Sequence, residues 1–230
     1  MNAVIEDFFR LLTDAVRFYP KKSLTSPLAA PIFSAALSAL TLQQVDPLTA
    51  TLHYCRDILS FGFDKPSISD FTGPNGEPFT TSPEVRAAVR RLIGSQGSIL
   101  VQRVLTGMMF SFPGDCFPDA SGVLLALFEL MPREAATWVE ATIQMLPPGT
   151  LKPGESDRLM KNLTEKVQSG EIRKTRALLQ GSSEYTPRLF YETADAPLTF
   201  ADFTNSYRRR NVAPREGLGR LEAARFRFNG

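Results

Sequence analysis

An all-α fold of stacked antiparallel hairpins is what this sequence predicts, and three observations carry it. Apolar residues recur with the 3.6-residue period of helices along most of the chain. Proline and glycine punctuate that pattern in a way that pairs the helices. The pairs begin near residues 5, 46, 118 and 155, and spacings close to 40 residues are the mark of a HEAT/ARM-type α-solenoid. About four hairpins are expected, followed by a disordered C-terminal tail. A compact all-α bundle is the alternative reading of the same pattern.

Ile5, Phe8, Phe9, Leu12, Ala15, Val16 and Tyr19 form one helical stripe, and Pro20 ends it. Leu24 to Leu42 resumes a helical pattern, with Pro31 either kinking that helix or delaying its start. Asp46-Pro47 reads as an N-cap with proline at the first helical position, opening a helix to about Gly62. A polar loop from Phe63 to Thr81 follows. Ser82-Pro83-Glu84 then opens a helix reaching about Phe112, in which GSQGS at 94–98 reads as a break between helical segments. That stretch lacks the Lys-Ser/Thr of a P-loop and follows no strand.

Pro118-Asp119 begins a third pair, with Gly122 to Met131 as its inner helix and Pro132 to Leu146 as the partner. Pro147-Pro148-Gly149 breaks the chain again. The fourth pair opens with Glu155 to Ser169, whose Leu159, Met160, Leu163 and Val167 share a face, and continues from Glu171. Period-two alternation is convincing only in RLFYET at 188–193.

A hydrophobic content of 43% with 22% charged residues indicates a globular chain. The opening MNAVIEDFFRLL places acids where a secretory signal needs positive charge, and Gly122 to Met131 is too short an apolar run to span a bilayer. The chain therefore reads as soluble and intracellular. Two cysteines and one histidine do not make a disulfide framework or a zinc site. Cys55 and Cys116 are expected as core thiols. His53 has no nucleophile motif beside it and reads as an ordinary helix residue. Trp138 is expected to fill the groove between hairpins. No catalytic, metal or cofactor-binding residue emerges, so an enzyme is not expected.

Charge is distributed unevenly. Residues 202–230 hold seven arginines against three acids, 181–201 carry a net −2, and everything before them sums to zero. Arg208, Arg209, Arg210, Arg215, Arg220, Arg225 and Arg227 are interleaved with Tyr207, Phe226 and Phe228, a mixture suited to phosphate or RNA contact. These arginines are the candidate partner-binding residues. A helix C-terminus favoured by positive charge, followed by a solvated tail, accounts for the same residues without a partner. A helical nucleic-acid-binding module acting through this tail is the second functional reading.

The stretches VIEDFFRLLTDAVRFYPKKSL, PIFSAALSAL, DPLTATLHYCRDILSFG and LVQRVLTGMMFSFPGDCFPDASGVLLALFELMPREAATWVEATIQMLP carry a resemblance. In that order they resemble the C-terminal HEAT repeats of the transportin-SR karyopherins of the importin-beta superfamily, including the fungal mRNA-transport-regulator branch. The likeness runs from Val4 to Gln180 and again from Asp202 to about Arg210. It implies part of a non-catalytic nuclear import receptor that shuttles between cytoplasm and nucleus at the nuclear envelope. Its implied cargo is RNA-binding proteins rich in arginine-serine or arginine-glycine segments. Nucleoporins are further implied partners, and neither membrane nor direct nucleic-acid binding is implied. Ran-GTP is implied only for a full-length receptor, because the repeats that bind it are missing here. The resemblance also implies a bare first face at Met1, and with it self-association.

In that family ALLQ runs directly into DFT within one helix. Removing 181–201 makes the face continuous here too, with Ile172, Thr175, Leu179, Phe203 and Tyr207 at offsets 0, 3, 7, 10 and 14. Residues 1–210 are thus read as a solenoid fragment carrying an atypical insertion at 181–201, and 211–230 as a basic flexible tail. Two origins fit the insertion. A translated intron is compatible with codons for Gly181, Leu198-Thr199 and Ala201-Asp202 that hold donor, branch and acceptor signals. A genuine acidic loop, with RLFYET and LTF as a hairpin, is the other.

Overall fold

The computed structural model describes residues 2–66, 80–169 and 200–212. Among these the chain forms nine α-helices and no strand: α1 (Asn2–Phe18), α2 (Pro20–Leu24), α3 (Ala29–Ala39), α4 (Val45–Ser60), α5 (Pro83–Phe110), α6 (Phe117–Leu130), α7 (Pro132–Gln144), α8 (Glu155–Ser169) and α9 (Phe200–Asn211). A 3₁₀ turn, Gly114–Cys116, leads into α6.

The boundaries follow local chemistry. Ser82 caps α5, its hydroxyl accepting the Val85 N–H at 3.4 Å, and Pro83 takes the first helical position, where its missing N–H costs nothing. Pro20 ends α1 and starts α2, and Pro31 lies in the first turn of α3. The expected Leu24 to Leu42 helix is therefore two pieces, with the start of the second delayed to Ala29. At α4 the cap position falls on Gln44, so Asp46 is no N-cap. It lies inside the first turn, where its charge favours the exposed N–H groups.

The expected break at GSQGS is absent, and α5 runs uninterrupted for 28 residues. The two glycines differ in environment. Gly94 is exposed with open space where a Cβ would stand. Gly97 is buried, and a Cβ there would lie 2.4 Å from the Trp138 ring. Gly97 is therefore the seat of Trp138, which sits half-buried between α5 and α7 as the sequence predicts.

The helices form two layers. In one, α1 packs on α4, α4 on α6, and α9 lies against α6 and the end of α5. In the other, α3 packs on α5, α5 on α7, and α7 on α8. Helices α1, α4 and α6 run in the same direction. Phe9 meets Tyr54 and Arg17 meets Asp57, while Thr49 meets Cys116 and His53 meets Asp119. This is the all-α solenoid that the repeat spacing predicts. The core is continuous through it, from Phe9 and Phe33 at one end to Leu163 and Phe200 at the other. Each such side chain contributes roughly 1.5–3 kcal/mol by leaving water.

The second helix of the fourth pair, expected from Glu171, lies outside the described residues. So do the RLFYET hairpin, nearly all of the 181–201 insertion, the 213–230 part of the tail, and most of the loop between α4 and α5.

Gly97 and Gly94 make a paired prediction. Gly97→Ala drives a methyl into a stiff indole and lowers stability by about 1–2 kcal/mol despite better helix propensity. Gly94→Ala, facing open space, raises it by up to about 1 kcal/mol. Urea unfolding midpoints of the two variants check both signs.

Candidate interaction site

Two sets of charged side chains stand out once the helices are placed. The first begins in the arginine triplet at the end of α9. Phe200, Phe203, Thr204 and Tyr207 form one buried face of that helix, at the i, i+3, i+4, i+7 spacing. The Phe200 ring meets Phe128 of α6 at 5.7 Å, and Tyr207 meets Phe110 of α5 edge-on at 5.5 Å. Phe200 falls inside the stretch that the sequence assigns to the insertion, yet it is a fully buried part of this face.

The face sets the arginines. Arg208 donates from Nη1 to the Phe112 carbonyl at 2.7 Å and lies over the Phe117 ring, 5.8 Å from its centroid. Arg210 pairs with Glu155 at the start of α8, Nη2 to Oε2 at 2.6 Å, and donates to Ser206 Oγ. Asn211 donates its amide to the Thr150 carbonyl. Arg209 alone of the three is exposed. It borders an open cleft of about 370 Å³ with Lys152, Asp202, Asn205 and Arg210. The other candidate arginines, Arg215, Arg220, Arg225 and Arg227, lie outside the described residues.

Glu155 responds to opposing influences. Burial pushes its carboxyl up, but the Arg210 hydrogen bond, the Lys152 backbone N–H and the charges of Arg210 and Lys152 together hold it below the ordinary 4.5.

The second set crosses the α1-α4-α6 layer. Asp57 is buried, 2% exposed, and accepts from Arg17 Nε of α1 at 2.8 Å. Arg56 lies 3.7 Å from Asp57 and 3.3 Å from Asp119 of α6, and His53 meets the same Asp119 oxygen at 2.9 Å. The sequence reading set His53 aside as an ordinary helix residue. In the sequence Asp119 marks only a helix start and Asp57 gives no sign at all, because charges scattered singly on separate helices give no local signal. Beside this ladder is an open cleft of about 440 Å³ lined in part by Arg10, Asp14, Arg17, Asp46 and His53. Its mixed charge suits a polypeptide surface better than a single small ion.

Both cysteines are buried, as expected. Burial pushes the Cys55 thiol up to about 12. Burial also raises Cys116, although a contact with the Thr49 hydroxyl pulls it back in part. Among the described residues no group of histidine, cysteine and acids is arranged to hold a metal ion, and no helix is long and apolar enough to cross a membrane.

The class defined by these features is a scaffold of stacked helices whose charged clefts are laid across the helix layers. No protein-family model matches the chain. It is 30% identical over 219 residues, 94% of its length, to the uncharacterized protein C11G11.07 of Schizosaccharomyces pombe, covering 20% of that protein. It is 26% identical over 190 residues, 76% of its length, to the mRNA transport regulator MTR10 of Saccharomyces cerevisiae, covering 18% of it. The chain thus spans about a fifth of the length of the curated relatives it matches. This distant, partial likeness supports the importin-beta superfamily of karyopherins as the level of relationship.

The pH dependence of α9 docking follows from Glu155. Its folded pKa is depressed, so its stabilising contribution is present above the ordinary carboxylate value and is lost as pH falls through the folded value. Thermal stability is expected to fall on acidification below about pH 4.5, with a smaller fall in Glu155→Gln. A second expectation concerns the ladder. Asp57→Ala leaves Arg17 and Arg56 without their buried acceptor and costs about 3 kcal/mol, read from denaturant unfolding.

Proposed function

We propose that this chain is part of a nuclear transport receptor, acting as a non-catalytic scaffold that holds protein cargo. The likeness to an mRNA transport regulator over three quarters of the chain carries this reading. The two-layer stack of helices fits it, because such arrays offer extended surfaces for polypeptides. The HEAT repeat is the unit, and the transportin-SR group is the branch that the sequence pattern favours. The cargo is RNA-binding proteins with arginine-serine or arginine-glycine segments, carried between cytoplasm and nucleus. Ran-GTP and nucleoporins act on the full-length receptor. The 181–201 stretch is an insertion in this scaffold, and 211–230 is a basic tail.

Tail-dependent nucleic-acid binding is disfavoured for the arginine triplet, since Arg208 and Arg210 already hold Phe112, Phe117 and Glu155. A titration with an arginine-serine repeat peptide and, separately, with single-stranded RNA at two salt concentrations tests the reading. Saturable peptide binding with weak RNA binding is expected. RNA binding with a steep salt slope, abolished by neutralising Arg215, Arg220, Arg225 and Arg227, together with no peptide binding, would overturn it.

A further inference from the structure

Two acids on the walls of the cleft between α1 and the start of α4 are unanswered. Asp14 and Asp46 are both exposed, and neither has a hydrogen bond or ion pair among the described residues. The bases beside them are already committed: Arg10 to Glu6 at 2.6 Å, Arg17 to Asp57 at 2.8 Å, and His53 to Asp119 at 2.9 Å. The charge left on offer is therefore negative. Thr13 lines the same cleft, is 8% exposed, and its hydroxyl has no partner among the described residues. By contrast, Thr51, Thr137, Thr142 and Thr204 each donate theirs to the carbonyl four residues earlier. A buried hydroxyl left unused beside two open carboxylates marks a place for a positively charged hydrogen-bond donor.

An open space of about 440 Å³ is large for a bare ion and suits side chains. A guanidinium fits best, since it carries five N–H donors and no acceptor. Residues 213–230, outside the described residues, hold Arg215, Arg220, Arg225 and Arg227 against Glu216 and Glu222. Arg225 and Arg227 stand two apart, and in any extended segment such residues share one face. The place where this tail leaves the fold is fixed. Val212 donates its N–H to the Arg208 carbonyl, Arg208 lies over Phe117, and the neighbouring Cys116 touches Thr49, which lines the cleft. That route is roughly 30 Å long, whereas Arg225, 13 residues beyond Val212, reaches up to about 45 Å.

We propose that residues 219–230 of the chain's own tail lie in this cleft, with Arg225 and Arg227 on Asp14 and Asp46 and one guanidinium reaching the Thr13 hydroxyl. Exposed ion pairs are weak singly, and attachment is what makes these count. Held on the same chain, the tail is presented at about 1 mM, so an intrinsic affinity of about 0.1 mM leaves the cleft roughly nine-tenths filled. The cleft is then closed to other cationic segments until the tail leaves it.

A fluorescent peptide of residues 219–230 is titrated into the full chain and followed by anisotropy. Binding to a tail variant, Arg225→Glu with Arg227→Glu, should be saturable, and binding to the parent about tenfold weaker because its own tail competes. Asp14→Arg with Asp46→Arg in the parent should abolish binding, and a peptide carrying Arg225→Glu and Arg227→Glu should bind that variant instead. Asp14→Asn with Asp46→Asn in the tail variant, which puts no positive charge at the start of α4, should also weaken binding. Circular dichroism of every variant should match the parent, since neither carboxylate holds a partner among the described residues. Absence of saturable binding overturns the proposal, as does binding indifferent to Asp14 and Asp46. Equal binding by parent and tail variant that still needs both acids would give the cleft to an arginine segment of another protein and overturn it as well. So would sedimentation showing a dimer that the tail variant dissociates, which would place the tail on a second copy.

Discussion

Helix α6 is apolar on nearly every side, with Val123, Leu124, Ala126, Leu127 and Phe128 all buried. Such a helix has no stable place in water and must be enclosed on all faces. Here α4, α5, α7 and α9 pack around it, with α8 touching its edge. The two-layer order follows from that requirement. Of these neighbours α4 and α5 are themselves packed on more than one side, α4 between α1 and α6 and α5 between α3 and α7. Gly97, by admitting Trp138 between α5 and α7, lets the second layer close over the same core.

The charged groups settle what apolar contact leaves free. Apolar stripes allow helices to slide, whereas Asp57 can accept from Arg17 in one register only. The Arg17, Asp57, Arg56, Asp119 and His53 ladder therefore pins α1, α4 and α6 to one another along their length. The same division of labour holds α9. Phe200, Phe203 and Tyr207 contribute burial, while Arg208 on the Phe112 carbonyl and Arg210 on Glu155 fix the rotation and register of the helix. A 12-residue helix is marginal alone, so its presence depends on this docking. Two of the three arginines that look like a basic cluster in the sequence are thereby committed to the fold.

The fold class was legible because its signals are local. The Ser82-Pro83 start and the Pro147-Pro148-Gly149 stop act within a few residues and stand where they are expected, whereas of the stripe Ile5, Phe8, Phe9, Leu12, Ala15, Val16 and Tyr19 the packing buries Phe9 and Val16 and leaves Phe8 and Tyr19 exposed. Misreadings arose where a distant group decides. Gly94 and Gly97 look like a break until Trp138 is placed against one of them. Asp46 looks like a cap, yet the helix begins one residue earlier. The candidate surfaces were less legible still, since Asp57, Asp119 and Glu155 give no sign in the sequence of the arginines they meet.

The sequence by itself determined that this chain is helical, paired and repetitive, because periodicity and punctuation need only neighbours along the chain. The tertiary structure alone decided which charges are spent and which are on offer. Arg208 and Arg210 are held while Arg209 is exposed, and Asp57 is covered while Asp14 is exposed. Those outcomes depend on which helix lies beside which. Packing across tens of residues sets that, and no local pattern records it.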